Sequence, residues 1–133
     1  MIIDTHSHLN SAAFQKDSGE VIKRSLFSGI WMINVGTKLE TSQKAVKIAE
    51  NYPEGVYAAV GLHPIQTVPN IKTERDEGGF KIKGEKFDKK KYRPLALSEK
   101  TVAIGEVGLD YYYDSSSSLK EKQAEELSLQ LDL

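Results

Sequence analysis

The spacing of apolar residues along the chain predicts four strands. A short apolar run opens the chain at residues 1–5, and a longer one at 30–36 ends in glycine, which is typical of a strand buried on both faces. Similar runs follow at 56–60 and 101–106. None of these runs has the length of a membrane span, so the sequence predicts a protein without membrane-spanning segments.

Helical patterns separate the strands. The first begins at Asp17 and Glu20, which have the spacing of a capping box, and ends at Gly29. Thr41 is expected to cap the second helix, which ends by Pro53. The last helix is expected to bury an apolar stripe made of Leu119, Ala124, Leu127 and Leu131.

Residues 71–93 interrupt this pattern and predict a lysine-rich insertion. They carry nine lysines or arginines, five acidic residues and two adjacent glycines, with no sustained apolar period. Residues 80–84 are compatible with a short ribbon, and Asp88 is expected to cap a brief helix toward Leu97. A charge run of this kind is either a solvated face or a contact for a polyanion, and the sequence leaves both interpretations open.

The alternation of strands and helices predicts an α/β fold with a parallel sheet. A chain of 133 residues has room for one domain with its own core. Its net charge of -1 excludes a general basic field, so any nucleic-acid binding must be local. The chain begins without a basic and apolar leader, which predicts a cytoplasmic protein.

The candidate chemistry begins with two histidines at the end of the first strand. His6 and His8 are separated by one residue, so an extended strand places both on one face, where their ring nitrogens can bind one ion. Asp4, expected on the same face, could orient an imidazole. The chain contains no cysteine, so a metal ion must be held by imidazole and carboxylate.

Two further strand ends carry candidate residues. Functional residues of parallel α/β folds lie at the carboxyl ends of strands, where this chain has His63 after the third strand and Glu106 after the fourth. Glu106 beside two histidines would complete a set of three metal ligands. Asp110 and the tyrosines at 111–113 are expected to shape the pocket wall.

Three motifs in this order resemble the first three motifs of the TatD family of metal-dependent hydrolases. They are Asp-Thr-His-Ser-His-Leu at residues 4–9, Val-Gly-Leu-His-Pro at 60–64 and Ala-Ile-Gly-Glu-Val-Gly-Leu-Asp-Tyr at 103–111. The resemblance covers the whole chain except the insertion. It implies a (βα)8 TIM barrel, of which residues 1–133 supply the amino-terminal half, about four βα units, with the carboxyl-terminal half absent.

The same resemblance implies a deoxyribonuclease that binds DNA through its phosphates. A complete site holds two divalent ions, Mg, Mn or Zn, with His6 and His8 on one ion and Glu106 bridging to the second. His63 is implied to touch substrate phosphate, and no catalytic residue is implied apart from the metal ligands. Whether DNA or RNA is preferred, and whether cleavage starts from an end, stays open.

The chain also departs from the family pattern. Family members supply two more histidines and an aspartate from later strands, which this chain lacks, and Ile65 stands where a second histidine often follows the proline. The isolated chain is therefore expected to be weakly active or inactive. The alternatives are a catalytically inactive fragment or assembly module, and another barrel hydrolase, an amidohydrolase or a PHP-type phosphoesterase. Exposed edges of a four-stranded sheet also predict self-association.

Overall fold

The computed structural model describes residues 2–68, 84–112 and 115–133. The elements in chain order are β1 (Ile2–Ser7), α1 (Ser18–Phe27), β2 (Ile30–Val35), α2 (Leu39–Glu50), β3 (Val56–Val60), α3 (Lys89–Ala96), β4 (Thr101–Ile104) and α4 (Ser117–Leu131), with short 3-10 turns at Ala12–Phe14 and Pro64–Thr67. The strands form one parallel sheet in the order β1-β2-β3-β4. The predicted α/β fold with a parallel sheet is confirmed.

Two clusters of buried apolar side chains hold α1 and α2 against the sheet. The first cluster consists of Leu9, Ile22, Met32, Ala49 and Val56. The second consists of Ala45, Val46, Ala58 and Val60. The first cluster joins α1 and α2 to residues of β2 and β3, and the second joins α2 to Ala58 and Val60, which alternate along β3 and so share one face of the sheet. The core therefore lies between the sheet and these helices.

Strand β1 contains an irregularity that decides where its side chains point. Its register pairs Asp4 with Met32 but Ser7 with Asn34, so three steps along β1 match two steps along β2. An extra residue of this kind is a β-bulge, and it offsets the alternation of faces. Asp4 and Ser7 consequently share one face of the sheet.

The bulge separates Asp4 from the two histidines. His6 and His8 flank Ser7 in the sequence, so they point to the face opposite Asp4 rather than to the same face as predicted. The Asp4 carboxylate Oδ1 accepts a hydrogen bond from the backbone N–H of His6 at 3.0 Å. Asp4 thus stabilises the backbone at the bulge, a role different from the predicted one on an imidazole ring.

The predicted helix starts differ from the structure in chemistry, and that of α2 differs also in place. Asp17 precedes α1, but no side-chain capping bond forms, and Glu20 instead pairs with Lys23 at 3.0 Å. Thr41 lies inside α2, where its Oγ1 accepts from the N–H groups of Thr37 and Lys38 at 2.9 and 3.0 Å. The predicted N-cap role of Thr41 is wrong because the helix begins two residues earlier, at Leu39.

Helix α4 buries a different face from the predicted one. Ala124 is exposed and Leu131 is 75% exposed, whereas Leu127 is half-buried, so Leu119 alone of the expected apolar stripe is fully buried. The buried residues of this helix are Leu119, Gln123, Glu126 and Gln130. They recur at helical spacing, and three of the four are polar, so this helix binds its neighbours chiefly through hydrogen bonds.

Only part of the predicted insertion falls in the described ranges. Residues 71–83, and with them most of the predicted ribbon at 80–84, lie outside them. From residue 84 the chain is packed: Phe87 and Tyr92 form a buried cluster with Leu62. Asp88 caps α3 as predicted, accepting from the N–H of Lys90 at 3.1 Å. Across the ranges that the structure describes, no helix is both long and apolar enough to cross a membrane.

Candidate metal centre

The three predicted metal ligands come together at the carboxyl end of the sheet. The Nε2 atoms of His6 and His8 are 3.1 Å apart, and His6 Nε2 is 3.5 Å from Glu106 Oε2. One ligand atom from each residue lies within 4.8 Å of the other two. Two imidazoles and a carboxylate are a donor set found in catalytic zinc sites and compatible with other divalent ions.

The spacing of these atoms fits an ion between them. Zinc binds imidazole nitrogen and carboxylate oxygen at about 2.0–2.2 Å, so two ligands of a tetrahedral ion are about 3.3 Å apart. The separations of 3.1 Å and 3.5 Å around His6 lie on either side of that value. Three protein ligands leave further coordination positions for water or substrate, as catalytic sites require.

His8 is oriented by the neighbouring strand. Its Nδ1 lies 3.0 Å from the carbonyl oxygen of Val35, the last residue of β2. A carbonyl only accepts, so Nδ1 carries the proton and Nε2 keeps its lone pair toward His6. Hydrogen bonding of the distal ring nitrogen is the usual way in which proteins fix the tautomer of a metal-binding histidine.

Asn34, which was not predicted from the sequence, hydrogen-bonds to the residues on both sides of His8. This side chain is fully buried in β2. Its Oδ1 accepts from the Leu9 N–H at 3.0 Å and from the Ser7 hydroxyl at 3.2 Å. The sequence could have indicated this role, because Asn34 is the polar residue in an otherwise apolar strand and a buried amide requires hydrogen-bond partners.

Glu106 is placed by backbone hydrogen bonds just beyond β4. The strand ends at Ile104, two residues short of its predicted end. The N–H of Gly105 donates to the Val60 carbonyl, and the N–H of Glu106 donates to the Gly36 carbonyl, both at 2.9 Å. The peptide bond between Gly105 and Glu106 is cis. The two backbone hydrogen bonds hold the main chain of Glu106 beside the ends of β2 and β3.

His63 lies on the other side of Glu106, outside the group of three ligands. Its Nε2 is 3.4 Å from Glu106 Oε1, and its ring is mostly buried. Its Nδ1 accepts the backbone N–H of Ile65 at 3.0 Å, so a neutral ring carries its proton on Nε2. His63 consequently presents a hydrogen-bond donor to the site, which suits contact with a phosphate oxygen rather than metal binding.

Close approach of two loops brings His63 and Glu106 together. A Cβ atom on Gly61 would lie 2.8 Å from the Gly105 carbonyl carbon and 2.9 Å from its oxygen. Only glycine allows the backbone after β3 to pass this near to the backbone after β4. The glycine of the second motif therefore has a steric role in bringing the two loops together.

Asp110 and the tyrosines lie in the loop after β4 and contact that loop and α4. The Asp110 carboxylate accepts from the N–H of Tyr112 at 3.0 Å, and the Tyr111 ring lies 5.1 Å from the Lys120 ammonium. Tyr112 is 85% exposed, and residue 113 lies outside the described ranges. Their predicted place in a pocket wall stays a prediction.

Comparisons with known proteins agree with this geometry. The model of the family described as TatD related DNase matches residues 3–133. An uncharacterized metal-dependent hydrolase, YabD of Bacillus subtilis, is 36% identical over 117 residues, covering 87% of this chain and 40% of that protein. The 3'-5' ssDNA/RNA exonuclease TatD of Cronobacter sakazakii is 32% identical over 135 residues, covering 99% of this chain and 46% of that protein.

A solved structure resembles the fold as well. The crystal structure of YJJV, a TatD homolog from Escherichia coli K12, matches with a TM-score of 0.70 and 26% identity, covering 98% of this chain and 45% of that one. This chain therefore spans about half the length of the relatives that it matches.

Proposed function

The chain belongs to the TatD-related DNase family, and from that premise we propose that it carries part of the active site of a divalent-metal-dependent phosphodiesterase that cleaves DNA. The observation that supports this most directly is the convergence of His6, His8 and Glu106 within 4.8 Å. Relatives named as single-stranded DNA and RNA exonucleases support a nucleic-acid substrate. A cytoplasmic location stays a prediction of the sequence.

In this proposal, the residues divide the work between metal and substrate. His6 and His8 bind the ion through Nε2, and Glu106 contributes Oε2. When bound there, a divalent ion activates water and neutralises charge on the scissile phosphate. His63 donates from Nε2 to a phosphate oxygen and so orients the strand. Recognition through phosphates is compatible with a net charge of -1, because it needs only local donors.

The metal part of the proposal is tested by calorimetric titration of the chain with Zn²⁺. We expect one weak site that is lost in His6→Ala and in His8→Ala. The matched control is Lys23→Ala, which removes an exposed ion pair on α1 and leaves the site intact. Equal zinc affinity in all four proteins would show that these histidines do not bind the ion.

The reaction is tested with end-labelled single-stranded DNA in Mg²⁺ or Mn²⁺. We expect hydrolysis at a low rate, abolished by Glu106→Gln and by chelation, because the carboxylamide of glutamine is a poor ligand for these ions. The same strand labelled at either end, and an RNA strand of the same sequence, distinguish the direction of cleavage and the preferred sugar. Hydrolysis of a cyclic amide with DNA left intact would instead indicate an amidohydrolase.

A non-enzymatic alternative has its own supporting observation. Strands β1 and β4 form the two edges of the sheet, and Ile2 and Val102 there are 66% and 51% exposed. Unpaired edges with exposed apolar residues favour further strand pairing. We therefore propose that the isolated chain self-associates, with β1 of one copy pairing with β4 of another around a two-fold axis.

Sedimentation at micromolar concentration tests this assembly. A dimer that dissociates on substitution of Ile2 and Val102 by lysine would support it, and Lys47→Glu on the exposed side of α2 is the control for a change of charge. A monomeric boundary together with cooperative thermal unfolding would contradict it. A dimer without hydrolysis or metal binding would favour the assembly module over the enzyme.

A further inference from the structure

The buried face of α4 is polar because it binds the backbone of loops. Gln123, Glu126 and Gln130 are each at most 6% exposed. Each of them hydrogen-bonds to main chain outside the helix: Glu126 Oε2, for example, accepts from the N–H of Phe87 at 2.7 Å, just before α3. Long amide and carboxylate side chains reach these groups, which an apolar side chain would leave without partners.

Gln130 binds the residue directly before His63. Its Oε1 accepts from the N–H of Leu62 at 2.7 Å, and its Nε2 donates to the carbonyl of Leu62 at 3.1 Å. One side-chain amide thus satisfies both backbone groups of a single residue, as a neighbouring strand would. Leu62 itself is 1% exposed, so water has little access to replace these bonds.

Gln123 makes the same pair of hydrogen bonds with the backbone of the loop that follows Glu106. Its Oε1 accepts from the N–H of Asp110 and its Nε2 donates to the Asp110 carbonyl, both at 2.8 Å. Its Nε2 also lies 3.4 Å from the carbonyl of Pro64, the residue after His63. Gln123 therefore joins the two loops that carry His63 and Glu106.

We propose that Gln123 and Gln130 are positioning residues that hold His63 against Glu106 through side-chain pairs with Leu62 and Asp110. In this proposal, the two glutamines maintain the distance of 3.4 Å between His63 Nε2 and Glu106 Oε1. This inference rests on the proposed function, because it assigns His63 to the substrate. If the glutamines served only to attach α4, their loss would lower stability without moving His63.

The first test is structural and needs no substrate. In Gln130→Met, which keeps length and removes both hydrogen bonds, NMR should show about tenfold faster amide exchange at Leu62 and a weakened contact between the His63 ring and the Glu106 side chain. Gln130→Glu keeps the acceptor and should give an intermediate change. Gln123→Met should move the amide of Asp110, and the exposed Gln43→Met is the matched control.

The second test separates positioning from general stability by a double-mutant cycle. Gln130→Met should lower kcat/KM on DNA about tenfold in the wild-type background and should have almost no further effect in His63→Ala, because it acts through that ring. An equal loss in both backgrounds, or an unchanged contact between His63 and Glu106 in Gln130→Met, would overturn the inference.

The failure of the proposed function can be recognised separately. If the wild-type chain hydrolyses no DNA and binds no zinc, the function fails, and the NMR comparison alone decides on the glutamines. In that case a weakened contact between His63 and Glu106 in Gln130→Met, absent from Gln43→Met, still supports positioning. An unchanged contact still overturns it.

Discussion

Replacing Gly61 by alanine should disturb stability and metal binding together. The added Cβ would lie 2.8 and 2.9 Å from the Gly105 carbonyl carbon and oxygen, and 3.0 Å from Val107 Cγ1. Ordinary van der Waals contact begins at 3.4 Å, so the nearest atom is about 0.6 Å too close. Two of the three atoms are backbone, and backbone cannot rotate away as a long side chain can.

The expected magnitude follows from overpacking. Adding a methyl group to a closely packed site costs about 1–3 kcal/mol, which should appear as a lower urea midpoint with an unchanged slope. The loop after β4 must move, and Glu106 is the next residue after Gly105. Zinc affinity should therefore fall about tenfold, the range seen when a residue that orients a metal ligand is changed.

Urea denaturation and zinc titration of the same preparation provide the measurement. Gly19→Ala is the control, because a Cβ at that helical position meets nothing within 4 Å and should change stability by less than about 1 kcal/mol. If Gly61→Ala had the stability and zinc affinity of the wild type, the close approach of the two loops would have no energetic role. A loss of stability with unchanged affinity would refute the link to Glu106.

Three further outcomes follow from the structure. Asn34→Ala should cost about 1–3 kcal/mol in urea denaturation, because the buried N–H of Leu9 loses its acceptor. Desolvation raises the pKa of Asp88, but hydrogen bonds from Lys91 and the backbone bring that pKa below 3.8. Asp88→Ala should therefore lower the melting temperature above pH 3.8. This difference should be lost as the pH falls through the lowered pKa of Asp88. Zn²⁺ at about 100 times its dissociation constant should stabilise the wild type by about 2.7 kcal/mol in thermal denaturation, and His8→Ala should show no such gain.

Most of the fold could be predicted because it depends on local periodicity. The alternation of apolar runs and helical stripes predicted the four strands and their parallel arrangement in one sheet. The convergence of His6, His8 and Glu106 was also predictable, because the carboxyl ends of parallel strands meet at one edge of the sheet.

The differences arise where the structure depends on a distant partner. The bulge in β1 depends on its register against β2, and nothing within residues 2–7 reveals the extra step that turns Asp4 away from His6. The face that α4 buries depends on the segments of the chain against which the helix packs. Apolar periodicity predicts packing against a sheet, whereas Gln123 and Gln130 meet loop backbone, which requires donors and acceptors.

Strand β2 contributes none of the three candidate metal ligands, but its carboxyl end hydrogen-bonds to two of the residues that do. The carbonyl of Val35 accepts from His8 Nδ1, and the carbonyl of Gly36, the next residue, accepts from the N–H of Glu106. Two consecutive carbonyl groups thus hold the imidazole of His8 and the main chain of Glu106. All of these groups lie at the carboxyl ends of strands within residues 8–106, so we expect the three candidate ligands to bind a metal ion in this chain, which zinc titration measures directly.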